Sequence, residues 1–378
     1  MSTLAAVLIL SNPLPFARSG EVVEIPMSEV LAHTRWSNPR SGPKGFLVRE
    51  QATGAPVMSQ IYDGEARRTS DRLLLLVDLE AHATVTLDVY SDEAPNRPPS
   101  KVFARSVPER MDDFAWENDK VAYRVYGPAL EATGEIGSGI DVWSKRVPDF
   151  VINGWYQRDL EGQRRHDAAM SYHVDNGQGL DSYKVGTSRG CGGTAVWDDG
   201  KLIASNNVTT SQILADGPIR VAFELRYAPW KAAGLKVDEI KVVELDAGSH
   251  MNHWYSQFHA ATTDKITVAL GLAIHDPAQV EQLGQGSIIS VWDSPQLANA
   301  GHIATGLVLP PATSGKFARL PENAVLLLPT EAGEIFDYYA GAGWSQADMP
   351  TAAAWKAYLM EYLERLRHPV TYKWKAKN

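Results

Sequence analysis

The sequence predicts an all-β fold, a large antiparallel sandwich closed by one C-terminal helix. Apolar and polar residues alternate at period two in one segment after another, as half-buried strands require. Turn signals separate these segments, with Asp-Gly at 199–200 and 216–217 and Pro-Pro at 98–99 and 310–311. A convincing helical stripe occurs only at the end of the chain. Many short strands at this spacing favour stacked antiparallel sheets over a parallel α/β architecture.

Leu4–Leu10 reads as a first strand, because it runs into the turn Ser11-Asn12-Pro13 and no basic residue precedes it as in a signal peptide. A short helix is expected near Met27–Thr34 and a strand over Leu73–Leu79. In Ala83–Tyr90, Val85, Leu87 and Val89 alternate with Thr84, Thr86 and Asp88. Val121, Tyr123 and Val125 share one face of the next strand, with Ala122, Arg124 and Tyr126 on the other. Ile219–Tyr227 is the clearest strand, with Ile219, Val221, Phe223, Leu225 and Tyr227 on one side. Its other side carries Arg220, Glu224 and Arg226. Glu239–Leu245, Ile266–Ile274, Ser287–Trp292 and Ala324–Leu328 complete the strand candidates. The closing helix spans about 351–367: Trp355, Tyr358, Leu359, Tyr362, Leu363 and Leu366 recur at three- and four-residue steps, and Pro369 stops it. That stripe is read as packing on the sandwich. No repeat, low-complexity tract or linker interrupts the chain, so one domain over 1–378 is expected.

The 378 residues carry a net charge of −9 and show no basic stripe, which argues against a nucleic-acid partner. No apolar run is long enough to span a bilayer as a helix, so no membrane partner is expected. Cys191 is the only cysteine, so no internal disulfide forms; between Gly190 and Gly192 it reads as a small buried side chain.

The richest chemistry lies in Tyr172–Gly193, YHVDNGQGLDSYKVGTSRGCGG, which packs His173, two Asp, two Tyr, Lys184, Arg189 and six Gly into 22 residues. Glycine permits positive φ and close backbone approach, while His, Tyr and Lys move protons and Arg holds carboxylates. The alternative is an ornate surface loop. In Asp112–Gly127, DDFAWENDKVAYRVYG, Trp116 is placed to stack on a sugar ring and Glu117 and Asn118 to bind hydroxyls. Arg124 would clamp a carboxylate if its face lines a cleft, or otherwise pair with a neighbour. Asn153–His173 adds Trp155 and Tyr156 as aromatic contacts and His166 as a second candidate base beside His173. In Ser249–His259 parity keeps three histidines from meeting on one ligand, and a sugar contact through His253 is preferred to a zinc site. Phe336–Trp344, FDYYAGAGW, would add a cleft wall. His166, His173, Asp175 and Asp181 fit no zinc or calcium spacing; no cofactor is expected, with a bound divalent metal as the open alternative. Nucleophile-elbow, P-loop, dinucleotide and H-E-x-x-H motifs are absent from the sequence.

Three segments, PERMDDFAWENDKVAYRVYGPAL at 108–130, the glycine-rich run at 172–193 and FDYYAGAGWSQAD at 336–348, carry a resemblance. Together they resemble a bacterial family encoded in polysaccharide-utilisation gene clusters and similar to galactose-mutarotase-like β-supersandwich proteins. One branch of that family is associated with an oligosaccharide dehydratase of ulvan breakdown. His250-Met251-Asn252-His253 departs from the pattern. The resemblance implies a β-supersandwich with a cleft on its concave face, a uronate-containing oligosaccharide as partner, and a periplasmic or alternatively cytoplasmic location. It implies a carbon–oxygen lyase, most simply a dehydratase acting by β-elimination. The chemistry of such a step asks for a group to neutralise the carboxylate (Arg124, Lys184 or Arg189), a base (His173 or His166) and an acid (Tyr172 or Tyr183). A polysaccharide lyase, a sugar epimerase or mutarotase, and a non-catalytic glycan binder remain as alternatives. Oligomeric state is not legible.

Overall fold

The computed structural model describes residues 3–34, 45–64, 71–92, 98–261, 265–275, 280–294, 297 and 299–375. Its centre is an antiparallel sheet of eight strands. In spatial order these are Val208–Asp216, Arg220–Ala232, Leu235–Asp246, Met251–Ala260, Ile335–Trp344, Ile303–Val308, Ile288–Asp293 and Val280–Leu283. Two five-stranded sheets lie side by side over its inner face. One contains Asp113–Asn118, Ala122–Val125 and Asp141–Lys145, the other Cys191–Asp198, Lys265–Ala273 and Asn323–Glu331. A bridge between Ile140 and Gly190 joins them.

The expected faces meet between these layers. Val221, Phe223, Leu225 and Tyr227 pack against Phe114, Trp116, Tyr123 and Val125, and Cys191 is buried in the same core. The outer face of the eight-stranded sheet is covered twice. Trp355, Leu359 and Leu363 of the C-terminal helix, Ala352–Arg367, pack on Met251, Ile288, Ala304 and Val308. A seven-stranded sheet formed by the first quarter of the chain and the closing strand Thr371–Trp374 covers the rest, through Tyr62 and Leu74 against Ala222. That sheet encloses its own apolar cluster, to which the helix Met27–Thr34 contributes Met27 and Val30.

A helix over Ile152–Arg165 is not visible in the sequence. It packs on the outer face of the first five-stranded sheet, pressing Ile152, Trp155 and Tyr156 against Ala115, Ala122 and Trp143. Two facts explain why it is missed. Its buried face includes Asp159 and Gly162, so the apolar stripe is short. Its N-cap is Val151, which has no capping side chain. Glu117, on a strand beneath, supplies the cap instead: its carboxylate accepts from Val151 N and Ile152 N at 2.9 Å each. The same carboxylate receives Lys145 Nζ at 2.8 Å, and both side chains are fully buried.

Breaking a buried, hydrogen-bonded ion pair leaves its partner charge uncompensated and costs about 3–5 kcal/mol. Glu117→Gln is therefore expected to lower unfolding free energy by roughly that amount, measured by urea denaturation. A change below about 1 kcal/mol would show that the pair does not anchor the helix.

Candidate active site: a shared arginine on the outer sheet face

Strand alternation places Asp113, Ala115 and Glu117 on the outer face of the first five-stranded sheet, together with Ala122, Arg124, Asp141, Trp143 and Lys145. Register then sets the key pair, since Arg124 and Asp141 lie directly opposite each other on adjacent strands. Arg124 Nε and Nη2 donate to Asp141 Oδ2 at 2.9 and 2.6 Å. Nη2 also donates to Asp181 Oδ2 at 3.0 Å. The guanidinium sits among the rings of Trp143, Tyr126 and Tyr172, 5.1, 5.4 and 5.5 Å from their centroids. Tyr172 Oη is 3.4 Å from Nη1.

The glycine-rich segment delivers Asp181. Gly179, at φ +133°, lies so close to the strand Asp141–Lys145 that a Cβ there would stand 2.0 Å from Ser144 O. Gly190, at φ +59°, touches Ile140 equally closely. Only glycine fits these two contacts. Between them the chain runs along the sheet edge and turns Asp181 toward Arg124.

Three carboxylates and two guanidinium groups face one another here: Asp113, Asp141 and Asp181 against Arg124 and Arg110, whose Nη1 is 3.5 Å from Asp113 Oδ2. Fully ionised, the centre would carry one excess negative charge in a buried setting, so it retains protons. Burial pushes the Asp113 carboxyl up to about 6, against the pull of Arg124 and Arg110. Burial raises Asp141 despite Arg124, and burial plus the neighbouring Asp141 raises Asp181 well above the carboxylate range. Burial likewise raises Tyr156 and Tyr126. This is the behaviour of acids that share protons.

Three buried polar atoms in this neighbourhood make no hydrogen bond: Arg110 Nη1 and Asp113 Oδ2, which face each other only as an ion pair at 3.5 Å, and Tyr156 Oη. Buried polar atoms are otherwise almost always satisfied, so their concentration marks a place built to receive polar groups. His173 stands at the rim with its side chain 54 % exposed. Its Nδ1 is 2.8 Å from the Asp181 carbonyl oxygen. A carbonyl only accepts, so Nδ1 carries the proton and Nε2 of the neutral ring keeps a lone pair.

Of the residues singled out in the sequence, Arg124, Tyr172, Tyr156 and His173 come together here. The others are placed differently. Arg124 holds carboxylates, but they are the protein's own. Trp116 is fully buried between the sheets, donating to Asn252 Oδ1 at 2.7 Å, and offers no face to a sugar. Register explains this, since Trp116 pairs with Tyr123 and must share its inward face. Glu117 caps a helix, and Asn118 organises a turn by accepting from Lys120 N and Val121 N. Trp155 packs on Trp143. His166 ends the Ile152–Arg165 helix in a left-handed conformation, exposed. Arg189 is buried in the interior, donating to Ser138 Oγ and the Thr194 carbonyl. Tyr183 belongs to the sandwich core, while exposed Lys184 offers its carbonyl to His275. His253 lies on the eight-stranded sheet with Asp337, far across the core. Among the described residues, no three His, Cys, Asp or Glu side chains are arranged to hold a metal ion. Asp113, Asp141, Arg110 and Tyr126 were not anticipated. Asp141 follows Gly137–Ile140 without a motif, and only the strand register connects it to Arg124.

Asp113 has a folded pKa above the ordinary value, so its contribution to stability is full below about pH 4 and is lost as pH rises through about 6. Asp113→Asn preserves the acceptor for Gly127 N and removes the titration. Thermal unfolding across about pH 4 to 7 is expected to show the wild type losing stability relative to this variant. Parallel curves for the two proteins would contradict the assignment.

Comparison with known proteins places the chain among relatives. It is 31 % identical over 382 residues to a protein of Formosa agariphila named uncharacterized protein P7, covering 96 % of this chain and 92 % of that one. Among solved structures it is similar to a protein in the glycosyl hydrolase family 38 from Enterococcus faecalis, with TM-score 0.53 and 10 % identity over 99 % of this chain. An alpha-mannosidase from Enterococcus faecalis V583 gives TM-score 0.50 and 9 % identity over the same share. The chain spans about half of each of those two, 48 % and 46 %, and at this identity the likeness is one of fold. Residues 10–371 match the family described as Domain of unknown function (DUF4861), and the chain belongs to that family.

Proposed function

We propose that this protein is a carbohydrate-active enzyme that works by general acid–base chemistry at the Arg124 centre. Its reaction is β-elimination of water from a uronate-bearing oligosaccharide. The observation that carries the proposal is the set of buried polar atoms that make no hydrogen bond, the ion-paired Arg110 Nη1 and Asp113 Oδ2 together with Tyr156 Oη, beside a histidine whose Nε2 is available as a base. The fold shared with the glycosyl hydrolase family 38 protein and the alpha-mannosidase supports a sugar substrate.

Each role follows from the chemistry. Arg110 is ion-paired with Asp113 at 3.5 Å but makes no hydrogen bond through Nη1, and its side chain is 25 % exposed, so it receives the substrate carboxylate and offsets the charge that grows on it. His173 Nε2 takes the proton beside that carboxylate. The electrons of the C–H bond form the carbon–carbon double bond, and the adjacent C–O bond breaks. Asp113, which keeps its proton up to about pH 6, returns a proton to the departing oxygen, which leaves as water. Paired-carboxylate glycoside hydrolysis is disfavoured, because Asp141 and Asp181 grip the same Arg124 nitrogen and leave no room for a glycosidic bond between them.

Mass spectrometry of uronate oligosaccharides from ulvan, alginate and pectin is expected to show a product lighter by roughly 18 Da, one water. His173→Ala is expected to slow its appearance by about 10²–10⁴-fold with an unchanged melting temperature. Unaltered substrate with every oligosaccharide, or full activity in the variant, would contradict the proposal. The two arginines should separate. Arg110→Met is expected to abolish turnover in a folded protein. Arg124→Met should unfold it, because two buried carboxylates lose their partner. Circular dichroism and product formation on both variants check this.

A further inference from the structure

A second cavity lies across the core from the Arg124 centre, on the outer face of the eight-stranded sheet. Its volume is about 250 Å³. The seven-stranded sheet supplies Glu21 and Glu24, the eight-stranded sheet Arg220, Glu244, His253 and Tyr339, and the C-terminal helix Tyr362 and Arg365. That volume falls just below the range of drug-sized pockets, roughly 300–1,000 Å³, and suits one sugar ring.

The walls define the ligand. Arg220 ties three of the four lining carboxylates together: Glu24 at 2.7 Å, Asp246 at 2.6 and 2.7 Å, and Glu244 at 3.2 Å. Tyr62 Oη donates to Glu244 Oε1 at 2.5 Å, and Glu21 pairs with Arg18 at 2.6 Å. These carboxylates are therefore charge-compensated, yet a carboxylate oxygen accepts more than one hydrogen bond. Arg365 pairs through Nη1 with Glu21 at 3.8 Å, while its buried Nε has no hydrogen-bond acceptor. Tyr339 stacks on His253 with ring centroids 4.0 Å apart, and Tyr362 meets Tyr339 edge-on at 5.3 Å. A wall of rings facing acceptors and one open donor matches a molecule with an apolar ring face and hydroxyls that both donate and accept. Glu21, Glu24, Glu244 and Asp246 are matched by Arg18, Arg72, Arg220 and Arg365, so the walls are charge-balanced and leave little for either a free anion or a free cation. We infer that this cavity is a second carbohydrate site, distinct from the catalytic centre and selective for a single neutral sugar residue rather than a uronate. The inference stands on this cavity alone and does not require the elimination reaction.

Calorimetric titration of the intact protein with D-galactose, D-xylose, L-rhamnose and D-glucuronate tests it. At least one neutral sugar is expected to bind. Tyr362→Ala and Arg365→Met are each expected to weaken that binding about tenfold or more, while His173→Ala leaves it unchanged. Arg365 is 19 % exposed and not part of the core, so Arg365→Met retains a folded protein even if Tyr362→Ala does not. Absence of binding by every neutral sugar would overturn the inference. So would binding that responds to His173→Ala but not to Arg365→Met, or glucuronate binding that Arg365→Met weakens. Product formation is read separately, so failure of this site and failure of the catalytic proposal are distinguishable.

Discussion

The sharing of one buried guanidinium by Asp141 and Asp181 organises the outer face of the first five-stranded sheet. Arg124 is tied to Asp141 by sheet register and to Asp181 by the path of the glycine-rich segment. A buried charge of this kind is expensive unless its partners are held in place. The surrounding architecture supplies that constraint. Gly179 and Gly190 let the segment lie against the strand at both ends, and the Tyr172 and Trp143 rings close over the cation. The result is a rigid pair of acids beside a partly exposed rim formed by Arg110 and His173, with the buried Asp113 beneath it.

The Ile152–Arg165 helix is the second support. Glu117 and Lys145 hold its first turn to the sheet, and its Tyr156 reaches the centre. The sheet's outer face thus carries two buried charged groups with different duties. The Glu117–Lys145 pair is saturated by backbone and side-chain partners, as a structural pair should be. The Arg124 group has unsatisfied polar atoms next to it, as a site that binds polar ligands should. That contrast separates scaffold from chemistry on a face where residue types alone do not.

Much of the sandwich was legible because burial on one side writes itself as alternation. Val221–Tyr227 and Val121–Tyr126 present the inward faces their spacing predicts, while Ile219, just before the strand, packs instead with Tyr62 and Leu74; the terminal helix appears at Ala352–Arg367. Arg220 on the opposite side, however, is buried and ion-paired beneath the seven-stranded sheet. What was not legible depends on pairing across the chain. The Ile152–Arg165 helix has its cap on a distant strand. Asp141 acquires meaning only opposite Arg124. Trp116 looks like a sugar platform until register with Tyr123 turns it inward. The glycine-rich segment was recognised by its composition, yet its glycines serve close backbone approach, and of its polar side chains only Tyr172, His173 and Asp181 reach the centre.

The central claim is that the Arg124 centre moves a proton on a sugar acid. Incubating the protein with a uronate oligosaccharide in deuterated water, and following the proton beside the carboxylate by nuclear magnetic resonance, tests this most directly. The account predicts loss of that proton's signal with the wild type and its persistence with His173→Ala. Persistence of the signal with the wild type, on substrates that demonstrably bind, would contradict it.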